Sequence, residues 1–316
     1  MRRRRLLAGL MFVAVAVASF AGGAAVVVAS SVPEHATYSR AGAQTGAVTC
    51  RSPALGGSLP AMVYLPAGYK GGTARYPVVY FLHGLPANPT SYQANSFVAA
   101  SVPSGHQAAI VVSPQGARSA NSDREYLDWS ATENWPRAIS HDLTTCIDRR
   151  YRTIRRRAGR ALVGLSAGGY GAFNVGLRAL DTFGAVESWS GYFAATDPVG
   201  DKVLELGSKQ ADDDARAPSG PGLAAALKHY PSLLAFYIGN QDSRFLTTNR
   251  QYDGALKASH VAHVFKVYSG GHTMVLWSGE ATRWLSMALT ALVAERRGKV
   301  HTSAGLESGV SGGSGL

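Results

Sequence analysis

The feature that most constrains the fold is a serine set between two glycines, Gly164-Leu165-Ser166-Ala167-Gly168. The run Arg160-Ala-Leu-Val163 predicts a buried strand before it, and residues 170–180 predict a helix after it. A serine projects from a strand-to-helix turn only when the turn is very sharp, and glycines then occupy the crowded positions. The pattern predicts that Ser166 is an exposed nucleophile. An ordinary Gly/Ser-rich turn is the alternative.

Strands and helices alternate along the rest of the chain. Apolar runs predict further strands at 61–65, 76–82, 108–112, 185–189, 232–238 and 263–268, with helices at 136–151 and around 277–292. Such alternation indicates an α/β fold with a mostly parallel central sheet and helices on both faces. The chain has 316 residues, 46% of them hydrophobic, which is enough for one large domain. We place that domain at residues 55–297.

The N-terminus has the layout of an export signal. The cationic run Arg2–Arg5 precedes an uncharged apolar stretch over 6–28, and Val27-Val28-Ala29 offers small residues to a signal peptidase. The apolar stretch is also long enough to cross a bilayer, so an uncleaved anchor is the alternative. Residues 1–29 are therefore predicted to be a signal peptide or membrane anchor of a secreted or cell-envelope protein.

Two further segments are predicted to lie outside the folded domain. Residues 30–54 are polar and rich in Gly and Ala, which is typical of a tether. Residues 298–316 are rich in Gly and Ser and are expected to be disordered.

The chain is basic, with a formal net charge of +11 that falls to +7 when residues 1–29 are removed. Several of these charges cluster at Arg149–Arg160. A nucleic-acid interface needs a basic face interleaved with aromatic residues, and this cluster contains mainly Tyr151. We predict the solvated end of a helix and its loop, and no nucleic-acid partner. Contact with a membrane is expected only through the N-terminal segment, if that segment is not cleaved.

The two cysteines, Cys50 and Cys146, are an even number in a chain predicted to be exported, which favours one disulfide. Cys146 shares a predicted helical face with Ile139, Leu143 and Ile147. A buried free thiol is therefore the alternative.

Two strand ends downstream of the serine carry an acid and a histidine. A serine nucleophile needs a base and a group that orients the base. When the serine lies on a sharp strand-to-helix turn of this kind, called a nucleophile elbow, the three residues follow in the chain order serine, acid, histidine. The strand at 232–238 leads into Gly239-Asn240-Gln241-Asp242, and the strand at 263–268 leads into Gly270-Gly271-His272. The sequence predicts the triad Ser166, Asp242 and His272. Weaker candidates are Asp253, in a helical pattern, and His260 and His263, which are expected on the surface.

The oxyanion of such a reaction needs backbone N–H donors. Ala167 supplies one because it directly follows the nucleophile, and Leu85 supplies the other from the loop after an early strand. His83 in that loop is expected to pack under it and to be at most a weak substrate contact, as are Trp129 and Trp277. No metal or organic cofactor is expected.

Together, these motifs resemble those of the putative-esterase family of α/β-hydrolases, which includes esterase D, feruloyl esterases and the mycolyltransferase antigens of mycobacteria. The resemblance spans residues 55–295 and rests on the His83-Gly84 loop, the Ser166 elbow, Gly239–Asp242 and His272 with Trp277. It implies the α/β-hydrolase fold and cleavage of carboxylic esters, in small molecules or in the cell envelope, through an acyl-Ser166 intermediate.

Several positions depart from the mycolyltransferase pattern. Those enzymes typically carry an acid before the Gly-Leu of the oxyanion loop and an arginine after it, where this chain has His83 and Pro86. Their triad acid is usually Glu, where this chain has Asp242. An aromatic pair follows their catalytic base, where this chain has Met274 in place of the first aromatic, before Trp277. The departures favour a general esterase. An acyltransferase with a sugar acceptor and a non-catalytic cell-surface binding protein are the alternatives, although the second predicts a broken triad.

Overall fold

A computed structural model describes residues 44–104, 107–116, 125–196 and 202–298. An eight-stranded sheet lies at its centre, in the order β1-β2-β4-β3-β5-β6-β7-β8. The strands are β1 Gln44–Ser52, β2 Gly57–Leu65, β3 Val78–Leu82, β4 Ile110–Pro114, β5 Arg160–Leu165, β6 Ala185–Trp189, β7 Leu233–Gly239 and β8 Val264–Tyr268. β3 to β8 are parallel to one another, whereas β1 and β2 form an antiparallel pair that joins β4.

Helices cover both faces of the sheet. They are α1 Ser96–Ser101, α2 Trp135–Arg137, α3 Thr144–Arg150, α4 Ala167–Gly176, α5 Lys209–Asp214, α6 Pro221–His229, α7 Leu246–Ala258 and α8 Met274–Arg296, and the π-helical segment Ala138–Leu143 joins α2 to α3. Alternate residues of β3 face opposite layers: Tyr80 belongs to the buried cluster that includes residues of α3, α4 and α7, and Phe81 belongs to the one that includes residues of α1 and α8. The predicted α/β-hydrolase architecture is confirmed.

The folded domain begins earlier than the sequence predicted. The tether expected over 30–54 is wrong for residues 44–54, because β1 pairs along its whole length with β2, from Gln44 opposite Leu65 to Ser52 opposite Gly57. β1 is a mostly exposed edge strand and lacks the apolar run that would have marked it. The signal or anchor at 1–29, the tether residues 30–43 and the tail from 299 onwards lie outside the described residues.

The edge strand is held covalently as well. Cys50 in β1 is bonded to Cys146 in α3, with an S–S distance of 2.03 Å. The predicted disulfide is therefore present, and it ties the sheet edge to one helix layer.

The register of the sheet brings three loops together. Gly239 lies opposite Tyr268, and Leu165 lies opposite Trp189, which itself lies opposite Tyr237. The carboxyl ends of β5, β7 and β8 therefore share one edge, where the loops that follow them meet. No helix within the described segments is both long and apolar enough to cross a membrane.

Candidate active site

The backbone of the nucleophile elbow is so closely packed that it leaves no room for side chains on its two glycines. Ser166 adopts φ 53° and ψ −123°, a strained conformation for a residue with a side chain. A Cβ on Gly164 would lie 2.1 Å from the carbonyl oxygen of Gly168, and one on Gly168 would lie 2.0 Å from that of Leu82. Both glycines are required because backbone atoms occupy the space. The amide of Ser166 donates to the Trp189 carbonyl at 2.9 Å, which holds the turn against β6.

The three residues predicted from separate strand ends come together at the elbow. His272 Nε2 lies 2.9 Å from Ser166 Oγ, and His272 Nδ1 lies 2.7 Å from Asp242 Oδ2. The side chain of Asp242 is 1% exposed and that of His272 is 29% exposed. A buried carboxylate at Nδ1 fixes the proton on that nitrogen and leaves Nε2 to accept the proton of the serine hydroxyl.

The loops that carry the acid and the base form one hydrogen-bonded unit. The amide of Gln241 donates to the Gly270 carbonyl at 2.8 Å, and the amide of Gly270 donates to Asn240 Oδ1 at 3.1 Å. Gly270 has φ +133°, a conformation that L side chains rarely adopt. The glycine therefore lets the loop turn His272 towards the serine.

Two aromatic rings flank the base. The ring centroid of Trp277 lies 4.9 Å from that of His272, and that of Phe245 lies 5.5 Å away. Trp277 is only 8% exposed, so it supports the imidazole more than it offers a wall to substrate. Phe245 was not among the predicted site residues. Its spacing from Asp242 was the available signal, because its amide donates to Asp242 Oδ1 at 3.2 Å in a turn of the kind that aspartate favours.

A stack of rings continues from Phe245 towards the nucleophile helix. Tyr192 stacks on Phe245 at 4.9 Å and on Tyr170 of α4 at 5.3 Å. The Tyr192 hydroxyl donates to Oε1 of the buried Glu125 at 2.6 Å. The stack thus joins the helix that follows Ser166 to the loop of the acid. Sequence gave no signal for it, because its members are far apart in the chain.

The loop after β3 lies against the serine. A Cβ on Gly84 would lie 3.0 Å from the Cβ of Ser166 and 2.9 Å from Leu165 Cδ1. Leu85 follows directly and is half-buried. Ala167 is the first residue of α4, and the first amides of a helix have no intrahelical acceptor. Ala167 and the loop that carries Leu85 therefore lie beside the serine, and the role of the two amides as oxyanion donors stays a prediction.

His83 supports this loop from below. It is 5% exposed, its Nδ1 lies 2.9 Å from the Gly84 carbonyl oxygen, and its Nε2 accepts from the amide of Gly116 at 2.9 Å. The Tyr126 hydroxyl donates to the His83 carbonyl at 2.8 Å. Burial lowers the pKa of His83, which favours the neutral ring. The weak expectation that His83 contacts substrate is wrong, because both ring nitrogens are engaged inside the protein.

Of the remaining candidates, Trp129 lies near the site, whereas Asp253 and His263 lie apart from the triad. Trp129 is half-buried against the cluster that contains Ala167 and Phe245, so it stays a candidate substrate contact. Asp253 and His263 bond to each other, with Nε2 to Oδ1 at 2.9 Å, and do not join the triad. His263 was expected on the surface, but its side chain is 5% exposed because it also stacks on Phe236. The described residues contain no group of three or more His, Cys, Asp or Glu that could hold a metal ion.

Comparison with solved structures agrees with this geometry at the level of the fold. A ferulic acid esterase superposes with a TM-score of 0.62 at 23% identity, over 79% of this chain and 99% of that one. The S-formylglutathione hydrolase of Agrobacterium tumefaciens gives 0.63 at 18% identity, over 80% and 97%. MPT51 of Mycobacterium tuberculosis gives 0.58 at 18% identity, over 79% and 99%.

Comparison with known sequences identifies the family. Esterase Rv1288 of Mycobacterium tuberculosis strain H37Rv is 26% identical over 138 residues, which are 44% of this chain and 30% of that protein. The chain thus matches less than a third of the length of that relative. The sequence profile described as Putative esterase matches residues 52–284, which include the elbow, the acid loop and the base loop. The protein is therefore a member of the putative esterase family and has the α/β-hydrolase fold.

Proposed function

We propose that the protein is an exported serine esterase that cleaves carboxylic esters through a covalent acyl-Ser166 intermediate. The observation that carries this proposal is the hydrogen-bonded chain from Ser166 Oγ through His272 to Asp242, with both contacts under 3 Å. Relay through an imidazole gives an otherwise weak serine hydroxyl its nucleophilicity. Membership of the esterase family supports the choice of ester as substrate.

The reaction follows from the positions of these groups. Ser166 Oγ attacks the ester carbonyl carbon while His272 Nε2 takes its proton, and the amides of Leu85 and Ala167 donate to the oxyanion. The tetrahedral intermediate collapses, and His272 returns the proton to the departing alcohol. Water then repeats the sequence at the acyl-enzyme and frees the acid. Asp242 holds the imidazole and stabilises its cation throughout.

Two independent features support export. The sequence begins with a cationic run and an apolar stretch of the kind that targets a chain to the membrane. The domain also contains the Cys50–Cys146 disulfide, which persists in oxidising compartments outside the cytoplasm.

Acyl transfer is the second candidate, because an alcohol can replace water at the same acyl-enzyme. The fold is shared with MPT51, but at 18% identity that likeness concerns the fold alone. Trehalose added during turnover distinguishes the two reactions, since transfer produces a new ester and hydrolysis produces only free acid.

The proposal is tested with p-nitrophenyl esters of graded acyl length and with a fluorophosphonate probe. We expect the wild type to release nitrophenol and to be labelled, and Ser166→Ala to do neither while keeping the circular dichroism of the wild type. Labelling that persists in Ser166→Ala would place the nucleophile elsewhere.

A further inference from the structure

Positive charge is concentrated at the end of the sheet opposite the triad, where the parallel strands have their amino ends. Residues 149–160 contain seven arginines and no acid. This segment passes the amino ends of the parallel strands, because Tyr76 just before β3 bridges to Thr153 and Arg160 begins β5. Arg75 adds another charge, with Nη1 donating to the Thr153 carbonyl at 3.1 Å.

The end of α8 extends the same patch. Arg296 Nη1 donates to the Ala158 carbonyl at 2.9 Å, which brings the helix end to the segment just before β5. Burial and the neighbouring charges of Arg156 and Arg297 lower the pKa of Arg296, as expected where like charges are crowded. We use the name basic edge for the six exposed arginines of this region: Arg75, Arg149, Arg150, Arg155, Arg156 and Arg297.

The other arginines of the segment have evident partners, whereas the six of the basic edge have no acidic partner among the described residues. Arg157 pairs with Glu295, Arg160 pairs with Asp148, and Arg152 lies over the Tyr69 ring. Within the described ranges, no carboxylate lies within ion-pair distance of any member of the basic edge. Arg149 and Arg150 end α3, where positive charge is favourable to the helix dipole. Arg75, Arg155 and Arg156 lie outside helices and have no such reason to cluster.

The chain enters the domain at this same edge. Gln44 pairs with Leu65 at the end of β2, and β2 runs antiparallel to β4, so both residues lie at the amino ends of the parallel strands. Tyr69, four residues later, accepts the amide of Arg152 on its hydroxyl at 2.8 Å. Upstream of Gln44 the sequence carries the cationic and apolar stretch of residues 2–28. The intervening residues can span at most about 55 Å when extended.

We propose that the basic edge binds the surface of a bilayer containing anionic phospholipids, while the triad at the opposite edge faces away from it. Export delivers the chain to a membrane through a segment attached at this edge, which favours a lipid surface over a soluble polyanion; the inference therefore rests on the proposed export. Each basic side chain close to an anionic bilayer contributes about 1 kcal/mol, or roughly fivefold in partitioning, and the attraction fades within a Debye length.

Vesicle sedimentation of the full-length chain tests the proposal. Phosphatidylcholine vesicles report binding by the apolar N-terminal segment, and the increase on adding phosphatidylglycerol reports binding by charge. The test variant is Arg155→Glu with Arg156→Glu. The control, Arg137→Glu with Arg250→Glu, makes the same charge change at two exposed residues away from the basic edge, one at the end of the short helix α2 and one near the start of α7.

We expect the test variant to lose at least about tenfold of the phosphatidylglycerol-dependent partitioning at low salt, and the control to lose less than about twofold. Both variants should retain ester turnover, because none of the four arginines lies at the triad. Arg155→Gln with Arg156→Gln provides a milder pair if charge reversal affects folding, and should give an intermediate loss.

Three outcomes would overturn the proposal. Binding that does not increase with phosphatidylglycerol removes the lipid surface as partner. Equal losses in test and control variants mean that net charge alone is responsible. Retention on dextran sulfate that depends on Arg155 and Arg156, with unchanged vesicle binding, identifies a soluble polyanion instead. A failure of the proposed esterase activity is recognised separately, because the vesicle measurement does not use the triad.

Discussion

The indole of Trp277 meets the imidazole of His272 edge to face, with ring centroids 4.9 Å apart and planes at 90°. α8 begins at Met274, directly after the loop of the base, so a long core helix carries the ring that supports the imidazole. Phe245 supports it from the acid loop at 5.5 Å. The orientation of His272 therefore depends on packing as well as on its bond to Asp242.

Removing that support should slow chemistry more than it weakens substrate binding. We expect Trp277→Ala to lower kcat by about tenfold or more, since small displacements of catalytic groups are costly. Trp277→Phe should retain most of the rate because it keeps an aromatic ring beside His272. Steady-state kinetics on a p-nitrophenyl ester separates the two parameters. A rise in KM with unchanged kcat would show that Trp277 is a substrate contact after all.

Asp242→Asn should leave the fold intact and favour the wrong tautomer of His272. The analogous change in a serine protease costs about ten-thousandfold in turnover, and we expect at least about a hundredfold here. Asp253→Asn is the matched control, because that acid bonds to His263 and Lys257 away from the triad. Near-normal turnover in Asp242→Asn together with a large loss in Asp253→Asn would contradict the assignment.

Glu187 should make stability depend on pH. It is 0% exposed on β6, and Trp189 Nε1 donates to its Oε2 at 3.0 Å, with Tyr237 nearby. Burial raises the pKa of Glu187 well above its ordinary value of 4.5. Above pH 4.5 the glutamate of the unfolded chain releases its proton while that of the folded protein keeps it. The wild type therefore loses stability as the pH rises towards the pKa of Glu187 in the folded protein.

Glu187→Gln removes this titration and is close to the neutral acid in shape. The difference in unfolding free energy between Glu187→Gln and the wild type should be near zero below the ordinary glutamate pKa. It should grow at up to about 1.4 kcal/mol per pH unit above it. Urea unfolding across this pH range measures the difference, and a difference that does not change with pH would show that Glu187 is ionised in the folded protein.

Loss of the disulfide should destabilise the domain and leave the site intact. The bridge closes a loop with a sequence separation of 96 residues. Loops of that size correspond to about 4.7 kcal/mol in the chain-entropy description. Cys50→Ala with Cys146→Ala should show this loss in urea unfolding and keep wild-type turnover per folded molecule. Equal stability of oxidised and reduced wild type would contradict the expectation.

The triad could be predicted from sequence because each member follows its own strand at a short, recognisable turn. Ser166, Asp242 and His272 needed only local patterns and the rule that parallel strands end at one edge. β1 could not be predicted in the same way. It is an edge strand with mostly exposed side chains, and its position depends on pairing with β2 and on a bridge to α3.

Contacts between distant segments were equally hidden. The hydrogen bond from Tyr192 to Glu125 joins residues 67 positions apart, and neither side chain is marked by a motif. The burial of His263 depends on Asp253, which a helix presents from 10 residues earlier. Sequence patterns thus identified the three residues of the triad, whereas the residues that hold them in place are determined by packing.

Both ends of the described domain emerge on the side away from the triad. Gln44 begins β1 beside the end of β2, and α8 runs from the base loop to Arg296, which bonds to Ala158 just before β5. A fusion partner or an immobilisation tag attached at either end therefore extends from the side of the domain opposite the triad. Coupled to a bead through such a tag, the protein presents the triad to the solution.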